Sequence, residues 1–163
     1  MRSIVRLLLL GTLAVMPVAL SGCAGYTPLY SEKVTVNMAQ IAIETPQTRT
    51  GYFLEQDLRN GFGADEKSAK KYTLTVTLTE RHYPIGYKID DTSNRSEITS
   101  KVVYILSDIT TGKRITTGRF TETVTYDTSL SPLTGVVSQQ DAQARIATAI
   151  SQRIQTDLAI YFH

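Results

Sequence analysis

Cys23 carries the most definite chemistry in the chain. It closes the run Leu20-Ser21-Gly22-Cys23, where small residues lead up to a thiol, the pattern of a bacterial lipobox. Such a thiol takes a diacylglycerol as a thioether, and the amine freed by cleavage takes a further acyl chain. Cys23 is the single cysteine of the 163 residues, so acylation uses up a thiol that would otherwise stand unpaired in an exported protein. One acyl chain holds a membrane marginally and two signals hold it stably, so a triacylated Cys23 predicts a lasting anchor. Ala24 follows, where an Asp would be the usual inner-membrane retention signal, and this predicts the outer membrane, facing the periplasm.

Other residue types with catalytic potential are sparse. There are two histidines, His82 and His163, and His163 sits at a fraying end. His82, in Glu80-Arg81-His82-Tyr83, reads either as a general base of a small periplasmic hydrolase or as an edge-strand surface residue. No HExxH, GxSxG, phosphate-binding loop or dinucleotide glycine fingerprint occurs, and no cluster has metal-ligand spacing. Asp90-Asp91 with Asn94 fit a turn. The expectation is a protein that is not an enzyme, with no metal and no cofactor.

Basic residues offer a different chemistry. Lys88, Arg95 and Lys101 flank the connection between the second and third strands predicted below, and Lys113, Arg114 and Arg119 flank the following hairpin. Gathered at one end or edge of a sheet they form a candidate patch for the phosphates of an anionic lipid, with arginine pairing bidentately. Interleaved Asp90, Asp91, Glu97, Asp108 and Glu122 leave the alternative of a solvated mixed-charge surface. Lys67, Lys70 and Lys71 after Asp65 and Glu66 read as a soluble loop. Tyr83 and Tyr87 bracket Pro84-Ile85-Gly86 and suit either an interface or the rim of a core.

The elements that must position these residues follow from periodicity. Residues 1–22 form a signal peptide: Arg2 and Arg6 are its basic head, and Leu7 to Leu20 is too short to span a bilayer. The 17 basic residues fall to 15 once Arg2 and Arg6 leave with it, against 15 acidic ones, so nothing favours nucleic acid. Residues 23–32 form an acylated leash and 33–163 a single domain. Val34 to Ile43 reads as a strand with a phase slip near Met38–Gln40. Thr50 to Phe62 reads as a helix from the spacing of Phe53, Leu54, Leu58 and Phe62. Lys71 to Tyr83 alternates Tyr72, Leu74, Val76 and Leu78 with four threonines, and Pro84 and Gly86 are expected to break it. Strands from Glu97 to Ile109 and Arg114 to Tyr126 join through Thr110-Thr111-Gly112-Lys113. A loop over 127–137 precedes a helix from Gln139 to Phe162, started by Ser138 and Asp141, whose stripe runs through Ile146, Ile150, Ile154, Leu158 and Tyr161. The order β-α-β-β-β-α predicts an α+β two-layer sandwich: a four-stranded, mainly antiparallel sheet with two helices on one face.

Cys23-Ala24-Gly25-Tyr26-Thr27-Pro28-Leu29-Tyr30 resembles the mature start of the alphaproteobacterial LptE family of LPS-assembly lipoproteins, with Ala24 as an extra residue. The element order and long terminal helix are similar too. The resemblance implies a non-enzymatic plug inside the LptD outer-membrane β-barrel that assists barrel assembly and binds lipopolysaccharide on its way to the outer leaflet. No local motif transfers the family's ligand contacts to particular residues here. The alternative is an accessory lipoprotein of another envelope lipid-transport or assembly complex, which shares anchor and fold class.

Overall fold

The computed structural model describes residues 31–63, 69–87, 93–128 and 131–163. The signal peptide, Cys23, most of the leash, the 64–68 loop and Lys88, Asp90 and Asp91 lie outside them. Seven elements follow in order: α1 (Glu32–Ala39), β1 (Ile41–Glu44), α2 (Arg49–Phe62), β2 (Tyr72–Tyr87), β3 (Ser93–Asp108), β4 (Arg114–Asp127) and α3 (Pro132–Phe162). The strands form one sheet in the order β1-β2-β3-β4. β1 runs parallel to β2, reached through the α2 crossover, while β2–β3 and β3–β4 are antiparallel.

The first predicted strand is mostly a helix. Val34 and Met38 are 0% and 1% exposed and lie four apart, whereas Val36 is 52% exposed. That spacing belongs to one helix face, and α1 packs it against α3. The alternation Val34-Thr35-Val36-Asn37 imitates a strand over too few residues to tell, and the phase slip near Met38–Gln40 is the end of the helix. β1 is thus short, and it pairs with β2 only from Tyr72 to Thr75. From Val76 to Tyr87, β2 has no strand on that side among the described residues.

α2 forms as its pattern requires. The Thr48 hydroxyl caps it by accepting from the Gly51 N–H at 3.1 Å, and Gly63 closes it in the left-handed region at φ 59°. β2 continues through Pro84, which stays in register opposite Ser96. An edge strand tolerates a proline because a missing donor costs little there. β3 likewise begins earlier than predicted, at Ser93.

α3 is 31 residues long and begins at Pro132, with Ser131 as its N-cap. Residues predicted as loop are its first two turns. Proline, read as a loop marker, fits the first helical turn, where its missing N–H has no acceptor to serve. Ser138 and Asp141 are therefore interior, and Asp141 pairs with Arg145 at 2.8 Å instead of capping. The buried stripe ends on Phe162, while Tyr161 is 51% exposed. Counting by fours from Ile154 through Leu158 reaches Phe162, which stacks near Tyr72 at 5.5 Å between ring centroids.

The core lies between the sheet and the helical layer. Leu74, Val76, Ile98, Val102, Tyr104 and Leu106 supply the sheet side, and Leu54, Leu58, Ile146, Ile150, Ile154 and Leu158 the helical side. A bulge between Leu106 and Ser107 lets β4 accommodate one extra residue, Ile115, near the hairpin. The reverse face of the sheet carries Thr75, Thr77, Thr79, Thr121 and Thr123, all exposed, with no helix on it among the described residues.

Candidate functional site

Two surfaces deserve the name of candidate site: the bare sheet face, and a cleft where β4 meets the start of α3. The cleft has a volume of about 440 Å³ and is lined by Arg95, Thr125, Tyr126, Asp127, Val137, Ser138, Asp141 and Arg145. Register places Arg95 opposite Asp127 at the far ends of β3 and β4. Arg95 donates to the Thr125 hydroxyl at 3.1 Å, and its Nε lies 3.5 Å from Asp127. Arg145 approaches from the helix, 2.8 Å from Asp141, and donates to the Thr125 carbonyl at 3.2 Å.

These ion pairs are half exposed or more, so each is worth at most about 1 kcal/mol and is readily exchanged. A phosphate competing for either guanidinium gains a charge-assisted, bidentate contact in place of a screened one. Beside the cleft, Leu133, Val136 and Val137 are 75%, 50% and 56% exposed. Their spacing of three and four puts them on one face of the first turns of α3. A polar cleft with two guanidiniums and an apolar ridge is shaped for an amphiphile with an anionic head.

The sheet face is flatter. Thr79, Lys101 and Thr121 form one cross-strand row, and Thr77, Val103 and Arg119 the next. Thr99 donates to Glu97 at 2.9 Å and lies 3.4 Å from the Thr123 hydroxyl. Val103 is 43% exposed in the middle of this face. A β surface this regular, hydroxyl-rich and uncovered suits contact with another protein wall more than a small-molecule pocket.

The sequence-predicted basic residues are spread along the sheet. Arg95 lies in the cleft, Lys101 and Arg119 are diagonal neighbours on the bare face, and Lys113 and Arg114 stand at the β3–β4 hairpin, the opposite end from Arg95. Lys88 is outside the described residues. Arg145 was not singled out from the sequence, because it sits on the polar side of a helix some 50 residues from Arg95. Only the sheet register and the long α3 bring them together. His82 is exposed at the β2 edge, opposite Ile98, and its imidazole has no hydrogen bond among the described residues. No described helix is long and apolar enough to cross a membrane.

The electrostatics of the layer interface centre on Tyr104. Its hydroxyl donates to Asp157 at 3.1 Å, and burial, followed by the Asp157 charge and hydrogen bond, pushes its pKa up to about 12. At the hairpin the Thr111 backbone N–H and then its hydroxyl hold the Asp108 carboxyl below the usual carboxylate range.

Among solved structures, a lipoprotein from Caulobacter crescentus CB15 superimposes with a TM-score of 0.69 at 30% identity, over 78% of this chain and 93% of that one. The chain belongs to the family of that lipoprotein. The minor lipoprotein of Acinetobacter baumannii shares the fold at a TM-score of 0.55 and 17% identity, over 74% of this chain and 90% of that one. Rare lipoprotein B of Shewanella oneidensis does so at 0.56 and 11%, over 74% and 94%. No protein-family model matches the chain, and no curated protein sequence does. Membership of this lipoprotein family accords with the lipobox at Cys23, which stands ahead of the described residues.

Proposed function

We propose that this lipoprotein is anchored in the outer membrane, facing the periplasm, through acylated Cys23. There it acts as an LptE-like plug of an LptD-type β-barrel, assisting barrel assembly and the insertion of lipopolysaccharide into the outer leaflet. The observation that carries the reading is the bare, threonine-rich sheet face, whose hydroxyls suit the polar, water-filled interior of an outer-membrane barrel. The resemblance of Cys23–Tyr30 to the mature start of LptE proteins, and the fold shared with rare lipoprotein B, support it. In this reading the Arg95–Arg145 cleft receives a phosphate of lipopolysaccharide and the Leu133–Val137 ridge meets its acyl chains. The role is one of binding and assembly, not catalysis.

The test is a mild-detergent purification of the tagged full chain from its own envelope, with partners identified by mass spectrometry. A stoichiometric outer-membrane β-barrel is expected. An inner-membrane transporter in its place would overturn the plug reading and favour an accessory of another envelope lipid-transport complex, for which the amphiphile-shaped cleft would be equally suited.

A further inference from the structure

The covered face of the sheet is apolar from Leu74 and Leu106 through Leu78, Val102 and Phe120, and is then interrupted. Glu80, Ser100 and Glu122 stand directly opposite one another across β2, β3 and β4. Ser100 is 0% exposed, and its same-face neighbours Ile98 and Val102 are 0% and 1% exposed, so this row points toward the helices. The Ser100 Oγ and the Glu80 Oε1 are both buried, and neither has a hydrogen-bond partner among the described residues.

Nothing described neutralises the two carboxylates. Neither the Glu80 nor the Glu122 carboxylate takes part in an ion pair or hydrogen bond among the described residues. The arginines that α3 places along β4 have other partners: Arg145 pairs with Asp141 at 2.8 Å and donates to the Thr125 carbonyl at 3.2 Å, and Arg153 lies 3.5 Å from Asp157 and over the Phe120 ring. Arg81, Lys101 and Arg119 alternate onto the opposite face. A half-buried carboxylate without a counter-charge, beside a buried hydroxyl without a partner, is costly unless something charged and oxygen-seeking joins them.

We propose that Glu80, Ser100 and Glu122 form a binding site for a hard divalent cation of the Ca²⁺ type. Strands lie about 4.8 Å apart, so the two glutamate backbones are separated by about 10 Å with Ser100 midway. A glutamate side chain, two methylenes beyond its Cα, is long enough for each carboxylate to reach a cation held above the serine. Ca²⁺ accepts six to eight oxygens at about 2.3–2.6 Å in adaptable geometry, and two carboxylates with one hydroxyl supply about five, leaving the rest to water. Mg²⁺ demands a tighter octahedron and fits a flat sheet row less well. No group of three or more His, Cys, Asp or Glu among the described residues is arranged around a metal. With two acidic ligands the site is therefore weak, with a dissociation constant of about 10⁻⁴–10⁻³ M, as in extracellular calcium modules.

The test uses the purified full chain in detergent, stripped with chelator and titrated with CaCl₂ by calorimetry at constant ionic strength. One saturable equivalent is expected, with MgCl₂ binding at least several-fold more weakly. Glu80→Gln and Glu122→Gln should each weaken calcium binding at least tenfold, whereas Glu32→Gln, at an exposed carboxylate in the first turn of α1, should change it less than twofold. Ser100→Ala removes a ligand without altering charge and should weaken binding several-fold, which keeps the test decisive if a glutamine variant fails to fold. Absence of saturable calcium binding by the wild-type chain would overturn the site. So would binding that survives in the folded Glu80, Glu122 and Ser100 variants alike.

Discussion

Tyr104 shows how much one side chain can join. It donates to Asp157 on α3, lies edge-on to Phe120, and stands in register opposite Gly118. A Cβ at Gly118 would collide with the Tyr104 ring, so the glycine is the floor on which the ring lies. Gly118→Ala should therefore destabilise the fold by about 1–3 kcal/mol, read as a lower urea midpoint with unchanged slope. The raised pKa of Tyr104 carries its own expectation. The folded state holds the neutral phenol up to about 12 while an unfolded tyrosine ionises near 10, so this contribution is present below the unfolded value and is lost as pH rises between them. Melting temperatures of wild type and Tyr104→Phe, followed from pH 9 to 12, should converge as the wild type loses that contribution. In the cleft, Arg95→Ala and Arg145→Ala should each lower affinity for a phosphorylated lipid A about tenfold in a vesicle-binding assay while leaving the melting temperature within a few degrees, because their ion pairs are solvent-screened.

At the scale of elements, α1 makes the sharpest prediction. If residues 34–38 were a strand, Val34 and Val36 would share a face and matter alike. In the helix, Val34 and Met38 are buried and Val36 is half exposed. Met38→Ala should cost about 2–5 kcal/mol and Val36→Ala well under 1 kcal/mol, measured by urea unfolding. The sheet and α2 were legible in the sequence because their periods persist: β2 alternates strictly through Thr79, and Leu54, Leu58 and Phe62 repeat by fours. What misled were short segments and punctuation. Five residues around Val34 satisfy both periods, Pro84 lies on an edge that tolerates it, and Pro132 with Gly135 belongs to a helix start. The basic residues of the candidate site were legible as types. Their grouping was not, since Arg145 reaches Arg95 only through the sheet register and the direction of α3.

For the whole molecule, the division into a covered and an uncovered sheet face decides what kind of variant separates fold from function. Val103 sits exposed in the middle of the uncovered face. On the proposed plug reading, Val103→Glu should leave thermal stability nearly unchanged yet abolish co-purification of a β-barrel, whereas the same charge at the fully buried Val102 position should prevent folding. Cys23→Ala should likewise leave the domain folded, as judged by circular dichroism, and release it from the membrane fraction. The short β1 has one more consequence. It shields β2 only as far as Thr75, and from Val76 to Tyr87 no described strand covers the run of main-chain donors and acceptors on that side. Pro84, along with the charges of Glu80 and Arg81, interrupts that run, as gatekeepers do on strands that would otherwise recruit others. A purified chain stripped of them by Glu80→Val, Arg81→Val and Pro84→Val should polymerise edge to edge. The sequence of this strand is thus written as much against fibres as for the fold.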